Sequence, residues 1–249
     1  MSKGKKPLLQ TIGREMAITT HGFDDVPEGP NVFVANHACM RDIFAIPASL
    51  PEDCDVVISS RLAYKNSSVD TAVRRLVIEN ALHTIPLEVH GGKEYLKAGL
   101  EMARRALLDG RSLLIFPEGA YTGDPQVTKG RTGASRILFD ANVGGVEPNL
   151  LPVGIRYEPW PTDLDTYMPQ DEQIHVTLGE SIDYTAAYRN YTASTDRESR
   201  RQALRAPIDM AMRAIAEATD LPYIDEPIAL WPRKTMILES GEEVPIPNR

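Results

Sequence analysis

The sequence predicts an α/β fold in which helices cover a mostly parallel sheet. Strand-length apolar runs alternate along the chain with segments whose apolar residues recur at helical spacing. The run SLLIF, residues 112–116, is apolar after its first serine, as expected for a central strand that is buried on both faces. The chain has 249 residues, of which 42% are hydrophobic. We therefore expect a single domain with a mostly parallel central sheet flanked by helices.

Seven segments rich in apolar and β-branched residues are predicted as strands. They are residues 17–23, 32–36, 55–60, 83–89, 112–116, 150–157 and 174–180. Helices are predicted between them, where apolar residues recur every three or four positions, and a polar, arginine-rich helix is predicted after the last one. The predicted helices are residues 70–82, 93–110, 133–142 and about 196–219. Gly110 is expected to end the second of these, because glycine is common just past a helix C-terminus.

The main domain is predicted from residue 15 to residue 220, since no linker long enough to separate two domains interrupts it. Residues 1–14 precede it as a basic N-terminal arm. Residues 221–249 follow as a proline-spaced extension, which we expect to pack on the domain. The basic arm could rest on anionic lipid, although a solvated terminus is the more common outcome.

Charge and cysteine content narrow the classes of function. The net charge of −8 opposes binding to nucleic acid, because that affinity comes largely from neutralisation of phosphates. The two cysteines, Cys39 and Cys54, support neither a disulfide framework nor a metal site, which fits a reducing compartment. No segment resembles a signal peptide or approaches the ~18 apolar residues of a membrane span. We therefore expect a cytoplasmic protein with, at most, peripheral contact with the inner face of a membrane.

The segment NHACMRD follows the apolar run VFVA and contains His37 and Asp42, five residues apart. Within one regular helix these two side chains would diverge by roughly 140°. They can meet if His37 lies in the loop after a strand and Asp42 in the first turn of the next helix. The carboxylate would then hold Nδ1–H of the imidazole and leave Nε2 as a base. For these residues taken alone, a turn histidine and a favourable helix-start charge remain the alternative.

Two more polar segments follow a predicted strand or precede a predicted helix. In SLLIFPEG the strand is followed by Glu118 and Gly119, which places a carboxylate at the sheet edge where α/β proteins bind ligands. The segment KGRTGAS places Lys129 and Arg131 before a helix whose free N–H groups also suit an anion. Solvated cations on a surface turn are the alternative for this second segment.

The order of these motifs resembles the PlsC-like glycerophosphate and lysophospholipid acyltransferases. The match consists of NH-x4-D, then FPEG, then a lysine-glycine segment that opens a helix, then LLPV, and it extends from about residue 15 to 185. The segment ISSRLAY also resembles the family's segment that carries a basic residue after the next strand, here Arg61.

The resemblance implies transfer of a fatty acyl group from an acyl thioester to a hydroxyl of a glycerolipid-like or other alcohol acceptor. The donor would be acyl-CoA or acyl-carrier protein, with no further cofactor. His37 would take the hydroxyl proton and Asp42 would orient it, so no covalent acyl-enzyme would be needed. Backbone N–H groups at the start of the His37 helix would stabilise the oxyanion, and the strand around Pro152 would lie beside the donor or give structural support. The implied substrate-binding residues are Asn36, Arg61, Glu118, Gly119, Lys129 and Arg131.

Two departures from the family pattern concern the acceptor. Members that act on phosphate-bearing acceptors typically carry an arginine where this chain has Val89, which His90 follows. They often have threonine and arginine after FPEG, where this chain has Ala120 and Tyr121. A neutral side chain cannot replace the bidentate grip of an arginine. We hypothesise an acceptor without a phosphate, although the remaining cations of the predicted site could compensate.

Other functions stay open from the sequence. Cys39 lies two residues after His37 and could form a Cys-His nucleophile, although residues so close in a turn rarely face each other. A serine hydrolase is a weaker alternative, because the chain has no G-x-S-x-G elbow. From a different class, the chain could be a non-catalytic lipid or acyl-chain-binding protein on the same fold, or a structural protein that binds a partner through its arginine-rich helix.

Overall fold

The computed structural model describes residues 7–59, 78, 80–87, 93–166, 170–228, 235–237 and 243–245. Its centre is a seven-stranded sheet with the strand order β1-β8-β7-β2-β5-β3-β4. The strands are β1 (Ala17–His21), β2 (Asn31–Ala35), β3 (Cys54–Ser59), β4 (His83–Leu87), β5 (Ser112–Ile115), β6 (Val127–Thr128), β7 (Asn149–Glu158), β8 (Gln173–Leu178), β9 (Tyr223–Ile224), β10 (Thr235–Ile237) and β11 (Glu243–Pro245). All seven predicted strands are present, with ends shifted by one or two residues.

Strand directions confirm the predicted α/β class. Strands β4, β3, β5, β2 and β7 run parallel to one another in that spatial order. Strand β8 pairs antiparallel with β7, and β1 pairs parallel with β8. Neighbouring antiparallel strands can be joined without a crossover through the layer of helices, and β7 and β8 are consecutive along the chain.

Helices cover both faces of this sheet. They are α1 (Pro7–Glu15), α2 (Asp42–Ser49), α3 (Lys93–Leu108), α4 (Gly133–Val143), α5 (Thr185–Ala193) and α6 (Arg197–Thr219). The helices predicted at 93–110, 133–142 and 196–219 are confirmed. Most of the helix predicted at 70–82 lies outside the described residues. Within the described part of the chain, no helix is long and apolar enough to span a bilayer.

The central strand β2 is apolar at consecutive positions because both of its faces are buried. Phe33 and Ala35 face a core shared with α1 and α2, whereas Val32 and Val34 face a second core shared with α3, α4 and α6. All four side chains are fully buried. A strand buried on both faces cannot alternate between apolar and polar residues.

Helix α1 differs from the sequence prediction, since it begins inside the segment predicted to be a basic arm. Leu9 is buried in the core beside α2. Gly13 lies so close to α2 that a Cβ at this position would be 2.6 Å from Cβ of Ala48. Glycine therefore permits the close approach of the two helices, although it weakens an isolated helix. Residues 1–6 lie outside the described range.

The lengths of β2, β5 and β7 determine which residues meet at the candidate site. The last pairs of β2 with its neighbours are Val34 with Ile115 of β5 and Ala35 with Val153 of β7. His37 and Glu118 therefore follow β2 and β5 at the same level of the sheet. Strand β7 continues past the end of β2 to Glu158, so its last residues lie beside the loop that follows β2.

Candidate active site

His37 and Asp42 meet at the carboxyl end of β2. His37 lies in the loop after the strand, and Asp42 is the first residue of α2. The His37 Nδ1 atom is 2.8 Å from Asp42 Oδ2. The pair therefore spans the boundary between loop and helix, as the five-residue spacing predicts. Because Nδ1 faces a carboxylate, we assign the proton of the neutral ring to Nδ1 and leave Nε2 as the base.

The carboxylate of Asp42 is fully buried and accepts several hydrogen bonds. Its Oδ2 accepts the backbone N–H groups of Ala38 at 2.6 Å and Cys39 at 3.0 Å in addition to the imidazole. Its Oδ1 accepts the hydroxyl of Tyr157 at 2.6 Å. These donors, together with the N-terminus of α2, stabilise a negative charge that burial alone would disfavour.

The sequence analysis did not identify Tyr157 as a residue of the site. The length of β7 explains its position. It lies four residues beyond Val153, the last residue of β7 that pairs with β2. On a strand, residues separated by an even number share a face, so Tyr157 continues the face of Val153 above the 36–42 loop. A strand prediction that included pairing with β2 could have found it.

Arg41 packs against Tyr157 and holds the loop that carries His37. Its side chain is fully buried, and its guanidinium donates to Glu172 Oε1 at 2.7 Å and to the carbonyl oxygen of Asp163 at 3.2 Å. The guanidinium carbon is also 5.6 Å from the ring centroid of Tyr157. The arginine of NHACMRD therefore connects the loop after β2 to the segment before β8 rather than facing solvent.

The imidazole of His37 lies between two aromatic rings. The Phe116 ring stacks on it with a centroid distance of 4.2 Å, and the Tyr121 ring meets it edge-on at 5.3 Å. The Tyr121 hydroxyl donates to Asp165. The His37 side chain remains 14% exposed, and among the described residues none forms a hydrogen bond with its Nε2. The imidazole is therefore partly open to solvent beside two aromatic rings.

Glu118 holds the loop of His37 in place. It is fully buried, and its Oε2 accepts the backbone N–H of His37 at 2.7 Å. Its Oε1 accepts the backbone N–H and the hydroxyl of Thr128 at 2.7 and 2.9 Å. Burial raises the pKa of Glu118 from its usual 4.5 to about 7, and these hydrogen bonds limit the rise. Both oxygens thus accept hydrogen bonds from the protein itself, and the contact with an acceptor that the resemblance implies stays a prediction.

The other predicted binding residues are dispersed. Asn36 is buried, and its side-chain amide exchanges two hydrogen bonds with the backbone of Ile155, at 2.8 and 2.9 Å. It therefore extends the pairing of β2 with β7. Gly119 is exposed and has a φ of 81°, a conformation that other residues adopt at a cost. Arg61 lies outside the residues that the structure describes, as do Val89 and His90.

Lys129 and Arg131 contact the segment that follows α6. Lys129 Nζ is 3.0 Å from Asp225 Oδ1, and Arg131 donates to the carbonyl oxygen of Ile228 at 2.9 Å. The pairing of β6 with β9 joins the same two segments. The two cations predicted to bind an anion are therefore engaged with residues 96 and 97 positions later in the chain, which no local pattern reveals.

The N–H groups of the His37 loop are already engaged within the protein, and the oxyanion role predicted for those at the start of α2 stays a prediction. The N–H groups of His37, Ala38 and Cys39 donate to carboxylates, and that of Met40 donates to the carbonyl oxygen of Leu164 at 2.8 Å. An N–H that already donates within the protein cannot also stabilise the charge of a substrate oxyanion at full strength. Pro152 lies buried in β7, paired with Val34, which is a position of structural support.

Cys39 does not form a nucleophile with His37. It is fully buried, and its sulfur lies 3.7 Å from Asp42 Oδ1. Burial, reinforced by the negative charge of Asp42, raises the pKa of the Cys39 thiol to about 12. Because the thiolate is the reactive form, this thiol is inert at neutral pH. Within the described residues, no group of histidine, cysteine, aspartate and glutamate side chains could hold a metal ion.

Comparison with known proteins identifies the family of this chain. A family model described as "Acyltransferase" matches residues 17–156, more than half of the chain. The chain belongs to this acyltransferase family. The match contains His37, Asp42 and Glu118 and ends one residue before Tyr157.

A solved structure is also similar, the 1-acyl-sn-glycerophosphate acyltransferase PlsC from Thermotoga maritima. It shares 18% sequence identity, and the alignment covers 84% of this chain and 78% of that chain with a TM-score of 0.48. A search of curated proteins finds no match.

Proposed function

We propose that the protein transfers an acyl group from an acyl thioester directly to a hydroxyl group, with His37 as the general base. One observation carries the proposal: the 2.8 Å contact between His37 Nδ1 and a buried Asp42, with the imidazole still partly exposed. A histidine oriented in this way by a carboxylate is suited to remove a proton from a hydroxyl. Membership of the acyltransferase family supports the same chemistry.

The reaction needs one base and no covalent acyl-enzyme. The acceptor oxygen attacks the thioester carbonyl carbon while Nε2 of His37 takes the hydroxyl proton, and the carbonyl becomes an oxyanion. When the tetrahedral intermediate collapses, the carbon–sulfur bond breaks and the imidazolium returns its proton to the departing thiolate. Asp42 stabilises the imidazolium between these two steps. The inert thiol of Cys39 supports direct transfer rather than an acyl-enzyme.

The proposed donor is acyl-CoA or acyl-carrier protein, since both present the same thioester. The proposed acceptor is an alcohol without a phosphate. In support, Tyr121 stands where the resembling family often has arginine, and its hydroxyl binds the carboxylate of Asp165. Lys129 and Arg131 are engaged by the segment after α6. A phosphate near His37 would thus meet a tyrosine and a carboxylate at a place where a cation is expected.

Comparing acceptors tests the second half of this proposal. Glycerol 3-phosphate, lysophosphatidic acid and non-phosphorylated alcohols are each supplied with the same acyl-CoA, and ester products are measured. Faster turnover of a non-phosphorylated alcohol is expected. Efficient turnover of lysophosphatidic acid alone would defeat the proposal for the acceptor and leave the acyl transfer itself intact.

Thiol release from acyl-CoA tests the first half. The wild type is expected to release free CoA in the presence of an acceptor, and His37→Ala to lose this activity while it remains folded. His175→Ala is the matched control, because His175 lies on β8, 3.8 Å from Glu158 and in a different environment. Equal release above background by the wild type and His37→Ala would show that His37 is not the base, and release no faster than without protein would favour a non-catalytic acyl-chain-binding protein.

A further inference from the structure

Tyr157 is placed to act on His37 through Asp42. Its hydroxyl donates to Asp42 Oδ1 at 2.6 Å, while the other oxygen of that carboxylate contacts His37 Nδ1 at 2.8 Å. We infer that Tyr157 is a positioning residue. Its hydroxyl fixes the orientation of the Asp42 carboxylate and, by hydrogen bonding, stabilises part of the negative charge of that carboxylate. The hydroxyl thereby sets the basicity of His37. The inference rests on the proposed function and deepens it.

The two oxygens of Asp42 have different roles. Oδ2 accepts hydrogen bonds from the imidazole and from two backbone N–H groups. Oδ1 receives the Tyr157 hydroxyl and, more weakly, the thiol of Cys39 at 3.7 Å. Without the hydroxyl, a fully buried carboxylate oxygen would retain only a thiol as donor among the described residues. Its uncompensated charge would then act more strongly on the imidazole, the nearest group able to become a cation.

Tyr157 is itself held in place and kept protonated. The guanidinium of Arg41 lies 5.6 Å from its ring centroid, and the ring of Trp160 packs edge-on at 6.2 Å. Burial, followed by the negative charge of Asp42, raises the pKa of Tyr157 well above 10. The hydroxyl therefore acts as a donor at every pH at which the imidazole titrates.

The other titratable groups near His37 and Asp42 have different partners. Glu118, which follows β5, binds the backbone N–H of His37 rather than the ring. Tyr121 faces the ring and connects to Asp165. Arg41 pairs with Glu172. Among the described residues, the side chains that contact the Asp42 carboxylate are thus those of His37, Cys39 and Tyr157, and of the last two only the tyrosine hydroxyl is a strong donor.

The test follows the imidazole of His37 by NMR as pH is varied, which requires no turnover; the signal is assigned with His37→Ala. In Tyr157→Phe we expect the His37 titration to move to higher pH, by roughly half a unit or more, because the unrelieved carboxylate stabilises the imidazolium. With 3-fluorotyrosine at position 157, whose hydroxyl is a stronger donor, the titration moves to lower pH. If the phenylalanine variant fails to fold, the inference can still be tested with the fluorotyrosine protein. Tyr184→Phe, which removes a 2.6 Å hydrogen bond to Pro148, is the control and leaves the titration unchanged.

Kinetics give the second readout. Tyr157→Phe should lower kcat by roughly tenfold and change KM for the thioester by less than about twofold. A lower kcat with an unmoved titration would show a purely structural role and overturn the inference, as would an unmoved titration in both substituted proteins. If the titration moves as expected but the wild type transfers no acyl group, the coupling is upheld and the proposed function fails.

Discussion

Replacing Asp42 by asparagine removes the charge behind His37 while preserving most of its geometry. An asparagine oxygen in the place of Oδ2 can still accept the imidazole and the N–H groups of Ala38 and Cys39. The new amide nitrogen then takes the place of Oδ1 and can donate to the hydroxyl of Tyr157, which can rotate to accept. We therefore expect Asp42→Asn to fold, and to fold more stably than Asp42→Ala, which leaves these donors without a partner.

The expected loss of activity follows from the distance between the two charges. An imidazolium and a carboxylate whose charge centres are about 4 Å apart attract by about 4 kcal/mol at an effective dielectric constant near 20. At about 1.4 kcal/mol per decade, losing this attraction as the imidazolium forms lowers kcat by roughly a thousandfold. The assay is continuous detection of released CoA with saturating acceptor, beside thermal unfolding. Asp196→Asn is the control, because its carboxylate caps α6 by accepting Ser199 N–H. A folded Asp42→Asn that keeps more than about a tenth of wild-type kcat would refute the reasoning.

Further predictions concern Glu118, Cys39 and the membrane. Above pH 7, where Glu118 is ionised, Glu118→Gln should destabilise the fold by roughly 1–3 kcal/mol in urea unfolding, because the amide must place its NH2 against a backbone N–H of His37 or Thr128. Because the folded-state pKa of Glu118 is raised from 4.5 to about 7, the folded protein holds this proton while the unfolded chain loses it. This group's contribution to the free energy of unfolding should therefore fall as pH rises through that window, and Glu118→Gln should remove the fall; an unchanged pH dependence would contradict it. Cys39→Ala should keep kcat within about threefold, and a larger loss would reopen a role for the thiol. Flotation with anionic vesicles should carry the protein upward less once the lysines of the basic arm are replaced by glutamine, whereas no flotation of the wild type would favour a soluble acceptor.

The order of strands and helices could be predicted because each element has its own local pattern. The pairing of His37 with Asp42 was also predictable, since a five-residue gap restricts the pair to one arrangement at a strand–helix boundary. Helix α1 was missed because its apolar residues are few and Gly13 interrupts them. That glycine has meaning only once α2 is known to lie against it.

The roles of Glu118 and Tyr157 depended on the pairing of strands. Only the adjacency of β2 and β5 shows that Glu118 lies level with the N–H of His37. Only the extension of β7 past β2 shows that Tyr157 reaches Asp42. The contact of Lys129 with Asp225 likewise joins segments far apart in sequence. Periodicity describes what a residue does within its own element, and these contacts lie between elements.

The most direct test of acyl transfer by His37 is mass spectrometry of the products formed from mixed acyl-CoAs and a panel of alcohols and lysolipids. The wild type should form an acyl ester of at least one acceptor, with no acyl group left on the protein. His37→Ala, folded to the same extent, should form none above background. Equal ester formation by both proteins, or an acyl group covalently retained on the wild type, would contradict the account.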